Sequence, residues 1–172
     1  MGTATYKKLL FKIRAMLLFF AVSLAISGIT AFPVETELHW LLQHRNLLPD
    51  FMEGFISDAY NAISITNKNY PSLAYGYDWL AFAHVVFAML FIGPYRHPVK
   101  NIWVIEWAML ACVAILPVAF FAGPVRHIPV YWSLIDCSFG IIGIIPLFIC
   151  RKWIKQLESL LENKSRLKPY IE

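Results

Sequence analysis

The stretch IWVIEWAMLACVAILPVAFFA, residues 102–122, decides the fold. Its 21 residues contain a single charged side chain, Glu106, and about 20 apolar helical residues suffice to cross roughly 30 Å of hydrocarbon. Three further stretches of this kind occupy residues 15–34, 78–95 and 129–150. The sequence therefore predicts an all-α membrane protein built as a bundle of four transmembrane helices.

The composition of the whole chain agrees with this prediction. Hydrophobic residues make up 59% of the 172 residues, charged residues 15%, and the mean hydropathy is +0.58, whereas soluble globular chains are about 25% charged. An aromatic content of 16% excludes a disordered chain. The length fits a single integral membrane domain over residues 1–172. The chain has three cysteines, Cys112, Cys137 and Cys150, and no two of them form a CxxC pair. Their spacing therefore argues against a disulfide framework or a zinc knuckle.

The basic residues predict the orientation. Most of them fall on one side of the four spans: Lys7, Lys8, Lys12, Arg14, Arg96, Lys100, Arg151, Lys152, Lys155, Lys164, Arg166 and Lys168. The other side carries Arg45, Lys68 and Arg126. By the positive-inside rule both termini, including a tail over residues 151–172, face the cytoplasm, and we expect the cytoplasmic membrane of a bacterium. The net charge of +4 is then an orientation signal, and no nucleic-acid partner is expected.

An alternative for the first span is a cleaved signal peptide, because cations at residues 7–14 precede an apolar run. The run is long for the apolar region of a signal peptide, and no clean A-x-A site precedes Phe32. The sequence therefore favours a retained first span.

The connection between the first two spans, residues 35–74, is predicted to form a helical lid on the extracytoplasmic side. After Pro49, apolar residues recur at the spacing of an amphipathic helix: Phe51, Met52, Phe55, Ile56, Ala59, Tyr60 and Ile63. Asp50 is the expected N-cap, with Glu53 three residues later as in a capping box. A shorter helix is expected over residues 35–48. The polar face of the longer helix has no cation, so packing over the outer mouth of the bundle fits better than binding to anionic lipid.

A short motif occurs twice in the second half of the chain. The sequence GPYRH at residues 93–97 recurs as GPVRH at residues 123–127, and the same offset of 30 residues relates Glu106 to Asp136. Successive spans run in opposite directions, so the copies would form an inverted repeat, an arrangement that often frames a site near the membrane midplane. The alternative is that Gly-Pro marks helix starts and that the arginines lie among lipid headgroups.

Ionisable residues inside the apolar spans are the candidate functional residues: Asp78, His84, Glu106 and Asp136. An aspartate near the centre of a transmembrane helix costs about 2.5–3.5 kcal/mol on insertion scales, so such residues usually face a cavity or a partner. Structural alternatives are a helix cap for Asp78, a bond to a neighbouring carbonyl for His84, and access to the membrane interface for Glu106. Asp136, flanked by apolar residues, is the hardest to explain structurally. Glu106, Asp136 and His84 are therefore the predicted catalytic residues.

Aromatic side chains near these residues extend the predicted site. Phe82 lies beside His84 and Trp107 beside Glu106, and such rings can line a pocket for a flat apolar or cationic ligand. Bundle packing is the alternative for these rings, and the interfacial belt explains most tryptophans. The predicted ligand-binding residues are Asp78, Trp79, Phe82, Trp107, Glu35 and Arg126.

The spacing of ligand-type residues gives little support to metal or haem chemistry. His84, His127 and Asp136 lie toward the outer side, but no span carries HExxH or HxxxH. A bis-histidine haem needs two facing histidines, and only His84 lies well inside a span. G-x-S-x-G elbows and phosphate-binding loops are absent from the sequence. No metal site is predicted, and the cofactor is unknown.

Two segments resemble the EXPERA group, the four-span family of the emopamil-binding sterol isomerase and the sigma-2 receptor. Ile29-Thr30-Ala31-Phe32 followed by Glu35 resembles the end of their first span, and Phe82-Ala83-His84-Val85-Val86-Phe87 resembles their second span. Pro117 and Pro146 also have counterparts. The resemblance implies a four-span bundle, a sterol-like ligand and isomerase-type proton transfer. The chain departs from the family at His84, where the family places a glutamate.

These features lead to one leading hypothesis and two alternatives. The leading hypothesis is a bundle cavity that binds a membrane lipid or a small lipophilic, sterol-like ligand; in an enzyme, a buried acid would protonate an apolar substrate there. The first alternative is a proton- or ion-coupled transporter or channel element that uses the inverted acids and forms a homo-oligomer. The second is a structural subunit of a larger membrane complex, whose acids pair with arginines of a partner.

Overall fold

The computed structural model describes residues 2–167, and the side chains of residues 5–163. Over this range the chain is helical, in the order α1 (Gly2–Ala31), α2 (Val34–Gln43), a 3-10 turn (Arg45–Leu47), α3 (Asp50–Asn69), α4 (Pro71–Leu90), α5 (Ile92–Arg96), α6 (Ile102–Val125) and α7 (Val130–Leu167). Within residues 5–163, four helical stretches are long and apolar enough to cross a membrane: Thr5–Ala31, Pro71–Arg96, Ile102–Val125 and Val130–Asn163. The prediction of an all-α membrane protein with four spans is confirmed.

The helices are longer than the apolar stretches that predict the spans. α1 begins at Gly2 instead of near residue 15, α4 begins at Pro71 instead of 78, and α7 continues through the predicted tail to Leu167. Residues 168–172 of that tail lie outside the described part of the chain. Hydropathy identifies the part of a helix that the hydrocarbon surrounds, whereas backbone hydrogen bonds can extend the same helix beyond the hydrocarbon into water. Pro71 occupies the first position of α4, where a missing N–H has no helical partner to lose.

The chain packs as two compact units, Ala21–Met89 and the combination of Met1–Phe20 with Leu90–Glu172. The unit Ala21–Met89 holds the second part of α1, α2, α3 and nearly all of α4. The other unit, which we call the discontinuous unit, holds the first part of α1 together with α5, α6 and α7.

In the unit Ala21–Met89, the two helices predicted between the first two spans are present as α2 and α3, and they pack on each other as a helical hairpin. The hairpin is tied at both ends. An ion pair joins Arg45 to Glu53 beside the turn, and the Asn67 amide donates a hydrogen bond to Glu35 at the open end. Between the two ties, the His39 ring lies 5.4 Å from that of Tyr60.

The expected cap of α3 is wrong. Pro49 is the N-cap, with φ −62° and ψ 140°, and Asp50 is the first helical residue. Glu53 pairs with Arg45, so its carboxylate does not close a capping box. Both carboxylates still lie in the first turn, where the helix dipole favours negative charge.

In the discontinuous unit, small residues bring α6 and α7 into close contact. A Cβ atom on Gly140 would lie 2.4 Å from the Cys112 carbonyl oxygen, and one on Gly143 would lie 3.2 Å from the Cys112 sulfur. Nearer the turn between the helices, a Cβ atom on Gly123 would lie 2.8 Å from Ser133 Oγ. Small residues of this kind let helix backbones approach one another in membranes.

The buried core of the discontinuous unit lies at the end that carries Arg14, Arg96 and Arg151, which we call the cation-rich end. Apolar side chains less than 2% exposed come there from all four helices of the unit: Ile13, Leu17, Pro94, Ile105, Leu147, Cys150, Ile154 and Leu157. On the other parts of α6 and α7, five large apolar side chains are 66–77% exposed: Phe121, Val125, Val130, Phe139 and Ile142. Such an apolar surface is typical of contact with lipid.

Candidate functional site

Four helices of the unit Ala21–Met89 converge on a cleft of about 180 Å³. Its lining is apolar except for one tyrosine and one histidine: Ala31, Val34, Ile63, Tyr77, Leu80, Ala81 and His84. A larger groove of about 560 Å³ runs along α2, but it is lined by residues 33–41 alone, so it is an open surface of one helix. The cleft is therefore the candidate site.

His84 gives the cleft an available hydrogen-bonding atom. Its Nδ1 lies 2.9 Å from the Leu80 carbonyl oxygen, and because a carbonyl only accepts, Nδ1 carries the proton and donates. In the neutral ring Nε2 is then an acceptor, and no described side chain or backbone group bonds to it. The bond to Leu80 matches the structural alternative for His84, yet it leaves one ring nitrogen for a ligand.

Close packing of α1 against α4 holds His84 in this position. A Cβ atom on Gly28 would lie 2.7 Å from the Ala81 carbonyl oxygen and 3.0 Å from the Cβ of His84. Only glycine allows this approach without displacing a backbone. Gly28 is absent from the residues predicted from the sequence, because a lone glycine in an apolar run carries no chemical signature.

Tyr77, which shares the face of α4 with His84, is also absent from the residues predicted from the sequence. Tyr77, Leu80, Ala81 and His84 follow the spacing i, i+3, i+4, i+7 of one helix face. That spacing was a signal that could have placed Tyr77 beside His84.

The predicted ligand contacts on α4 lie outside the lining of the cleft. Asp78 is half-buried and makes no hydrogen bond or ion pair within the described part of the chain. Trp79 is 57% exposed, and its ring meets that of Phe82 edge to face at 5.9 Å. Trp79 and Phe82 therefore form an exposed aromatic pair along α4.

Glu35 ties the hairpin next to the cleft. The side chains of Asn67 and Ser64 hydrogen-bond to its carboxylate, and together with the charge of His39 they hold the pKa of Glu35 below its ordinary value. Its neighbour in sequence, Val34, lines the cleft. Glu35 thus positions the rim of the cleft without lining it.

In the discontinuous unit, Glu106 is paired. Arg151 Nε donates a hydrogen bond to Glu106 Oε1 at 2.8 Å, and the two side chains are 37% and 45% exposed, respectively. Trp107, the next residue of α6, is 39% exposed. The predicted catalytic acid is therefore neutralised by a cation of the same unit.

Asp136 lies far from that pair along α7. It is half-buried and Arg126 is exposed, and among the described residues neither side chain has a polar partner. Arg151 follows Asp136 by 15 positions, which at 1.5 Å per residue is about 22 Å along the helix. Glu106 and Asp136 are thus not brought together in one compact pocket.

The two copies of the GPxRH motif take different local structures. The first copy lies in and just after α5, and the second ends α6, with Arg126 as its C-cap. In both copies the glycine carbonyl accepts hydrogen bonds from residues that follow it: Gly93 from His97 and Asn101, and Gly123 from Arg126 and Ile128. The inverted repeat stays a prediction.

Metal-type side chains are scattered through the part of the chain that the structure describes. There, no group of three or more histidine, cysteine or acidic side chains is close enough to hold a metal ion. His84 is accompanied in the cleft by apolar residues and Tyr77.

Comparison with known proteins finds no matching protein-family model, no matching curated protein and no matching solved structure. The resemblance to the EXPERA group rests on residues 29–35, on residues 82–87 and on the prolines at positions 117 and 146. Ala31 from the first segment and His84 from the second both line the cleft.

Proposed function

We propose that this multipass membrane protein binds a small, mainly apolar molecule in the cleft of the unit Ala21–Met89, with His84 Nε2 as the hydrogen-bond acceptor. The observation that carries the proposal is a half-buried histidine with one unbonded ring nitrogen in the wall of an otherwise apolar cleft. Ligand sites are commonly apolar with a few polar groups that orient the ligand.

The volume of the cleft limits the size of the ligand. A cavity of about 150 Å³ holds benzene, so the cleft, at about 180 Å³, has room for one small ring or for the end of an alkyl or isoprenoid chain. A four-ring sterol needs more space than this. We therefore propose a ligand slimmer than the sterol-like molecule that the resemblance implies, or one end of a longer molecule whose remainder continues into lipid.

The polar groups of the cleft indicate a hydroxyl-bearing ligand. Nδ1 of His84 is committed to Leu80, and the neutral ring therefore accepts a hydrogen bond at Nε2. A hydroxyl group can donate this bond and still accept one from the phenol of Tyr77, the other polar side chain of the lining. A pure hydrocarbon would leave both groups without a partner.

Photolabelling tests this proposal. The full chain in lipid nanodiscs is illuminated with a diazirine derivative of hexanol, or with the matching diazirine hydrocarbon that lacks the hydroxyl, and the labelled residues are mapped by mass spectrometry. We expect both probes to label residues of the cleft lining. His84→Leu keeps an apolar side chain but removes the acceptor, so labelling by the alcohol should fall roughly 2- to 10-fold, the effect of one neutral hydrogen bond, with the hydrocarbon unaffected.

Two further variants complete the experiment. Ala31→Leu fills the cleft and should reduce labelling by both probes, because Ala31 lines it. His97→Leu changes an exposed histidine of the discontinuous unit and should change neither. Labelling of the lining that is the same in wild type, His84→Leu and Ala31→Leu would contradict the proposal.

The proposal is for binding. Of the three predicted catalytic residues, His84 lines the cleft, whereas Glu106 and Asp136 do not. The carboxylate pair that the predicted proton transfer uses is therefore absent from the lining.

Asp136 favours a second candidate function, proton- or ion-coupled transport. It is a half-buried acid in a membrane span without a polar partner among the described residues, and such acids commonly mark ion pathways. Asp136→Asn should abolish pH-driven flux in liposomes, whereas Glu158→Gln, at an acid that is ion-paired with Lys155, should preserve it. Flux in wild-type liposomes no greater than in protein-free liposomes would reject transport. A structural subunit would instead be unstable when expressed alone.

A further inference from the structure

The cation-rich end of the discontinuous unit carries an excess of positive charge. Among the described side chains, four lysines and arginines lie within residues 7–14, two within 96–100 and three within 151–155. The acids at this end are Glu106, Glu158 and Glu162, and the first two are ion-paired with Arg151 and Lys155. The remaining cations therefore create a positive field at one end of the α1, α5 and α7 helices.

Arg14 differs from Arg151 in its contacts. Arg151 pairs with an acid, whereas Arg14 contacts a backbone carbonyl group and an aromatic ring. Its Nε donates a hydrogen bond to the Tyr95 carbonyl oxygen at 3.2 Å, and its guanidinium carbon lies 5.4 Å from the centre of the Tyr95 ring. Arg14 is half-buried. The two terminal NH₂ groups of the guanidinium have no partner among the described residues, so four N–H donors are oriented but unused.

The surroundings of Arg14 change from polar to apolar along α1. Lys12 precedes it, whereas the apolar run of the first span follows it. Phe11 and Leu18, at i−3 and i+4 on the same helix face, are 74% and 53% exposed. Arg14 therefore lies at a boundary between charged and lipid-like environments, with exposed apolar side chains on both sides of it.

We propose that Arg14, positioned by Tyr95, binds the phosphodiester of an anionic phospholipid whose acyl chains lie over Leu18 and the apolar run that follows it. A guanidinium matches two phosphate oxygens with parallel N–H donors. Basic sites between transmembrane helices on the cytoplasmic side are typical of anionic-lipid binding, and the neighbouring Arg96 and Lys100 are exposed cations. This site is independent of the cleft and of its proposed ligand.

Native mass spectrometry of the full chain, titrated in mild detergent, tests the proposal. The probes are phosphatidylglycerol, phosphatidylcholine and inorganic phosphate. We expect one phosphatidylglycerol adduct that survives collision energies at which phosphatidylcholine is lost. Arg14→Gln should weaken phosphatidylglycerol binding about 10-fold because it removes a charge-assisted contact. Arg14→Lys should give an intermediate affinity, because it keeps the charge but loses the planar fork.

A matched control is Lys68→Gln, which removes an exposed cation from the unit Ala21–Met89 and should leave phosphatidylglycerol binding unchanged. Equal affinity of wild type, Arg14→Lys and Arg14→Gln would overturn the proposal. So would equal retention of phosphatidylglycerol and phosphatidylcholine by wild type, or displacement of the lipid by inorganic phosphate, which would identify a site for free phosphate. Because Arg14→Lys keeps the charge, it reports on the site even if Arg14→Gln does not fold.

Discussion

Glu35 is a carboxylate on α2 that neutral donors of α3 hold in its charged form. Hydrogen bonds from Asn67 and Ser64 lower its pKa, with a smaller contribution from the charge of His39. A carboxyl group whose pKa is lower in the folded chain stabilises the fold above its ordinary pKa, about 4.3. That contribution is lost as the pH falls through the folded pKa. Acid therefore weakens the tie at the open end of the hairpin.

We expect the distance between α2 and α3 at their open end to increase as the pH falls from neutral through the lowered pKa of Glu35. Spin labels at Thr36→Cys and Lys68→Cys, in a chain whose three native cysteines are alanine, would measure it by pulsed electron resonance. Glu35→Gln cannot lose a charge, so in that variant the distance should not change with pH. The ion pair of Arg45 with Glu53 is common to both chains. An identical pH response in both would reject this role of Glu35.

The α6–α7 pair depends on the absence of side chains at its crossing. Gly140 faces the Cys112 backbone so closely that a Cβ atom would lie 2.4 Å from its carbonyl oxygen. Backbone cannot rotate aside as a flexible side chain does, so an added methyl group must separate the helices. The other helical glycines include Gly54 and Gly76, at which a Cβ atom would have no neighbour within 4 Å.

Gly140→Ala should therefore destabilise the protein by about 1–3 kcal/mol, the usual effect of overpacking. Gly54→Ala is the matched control: it changes a glycine in the interior of α3, where alanine is the better helix former by about 1 kcal/mol. Thermal unfolding in detergent, followed by circular dichroism, would compare the midpoints. A midpoint for Gly140→Ala at or above that of Gly54→Ala would contradict the close packing of α6 on α7.

For the whole molecule, the charge distribution predicts that α2 and the C-terminal part of α7 lie on opposite sides of the membrane. Thr36 and Gln156 are both exposed, so cysteines at these positions in a cysteine-free background are suitable reporters. A membrane-impermeant maleimide should label Thr36→Cys in intact cells, and Gln156→Cys only after permeabilisation. Labelling of both positions in intact cells would show that the orientation is wrong.

The parts of this molecule that local patterns encode were predictable. Spans follow from apolar length and α3 from its periodicity, both of which are read within one segment. His84 was predictable because an imidazole in an apolar span needs an explanation. Its neighbours Ala31 and Ile63 were not, since they reach the cleft by tertiary packing and their side chains carry no chemistry of their own. The partner of Glu106 is Arg151, which is 45 residues away in the sequence, and no local sequence pattern predicts this ion pair.

The discontinuous unit is built from two segments that lie far apart in the sequence, and this has a consequence for synthesis on the ribosome. Lys12 lies over the ring of Trp153, 5.4 Å from its centre, and about 140 residues of chain separate them. At 5–20 residues per second, the start of α1 waits roughly 7–28 s for its partner in α7, whereas the unit Ala21–Met89 is an uninterrupted segment that can pack as soon as it emerges. During that interval the apolar surface of Ile13 and Leu17, which is buried in the folded chain, must be shielded by lipid, by the membrane-insertion machinery or by a chaperone.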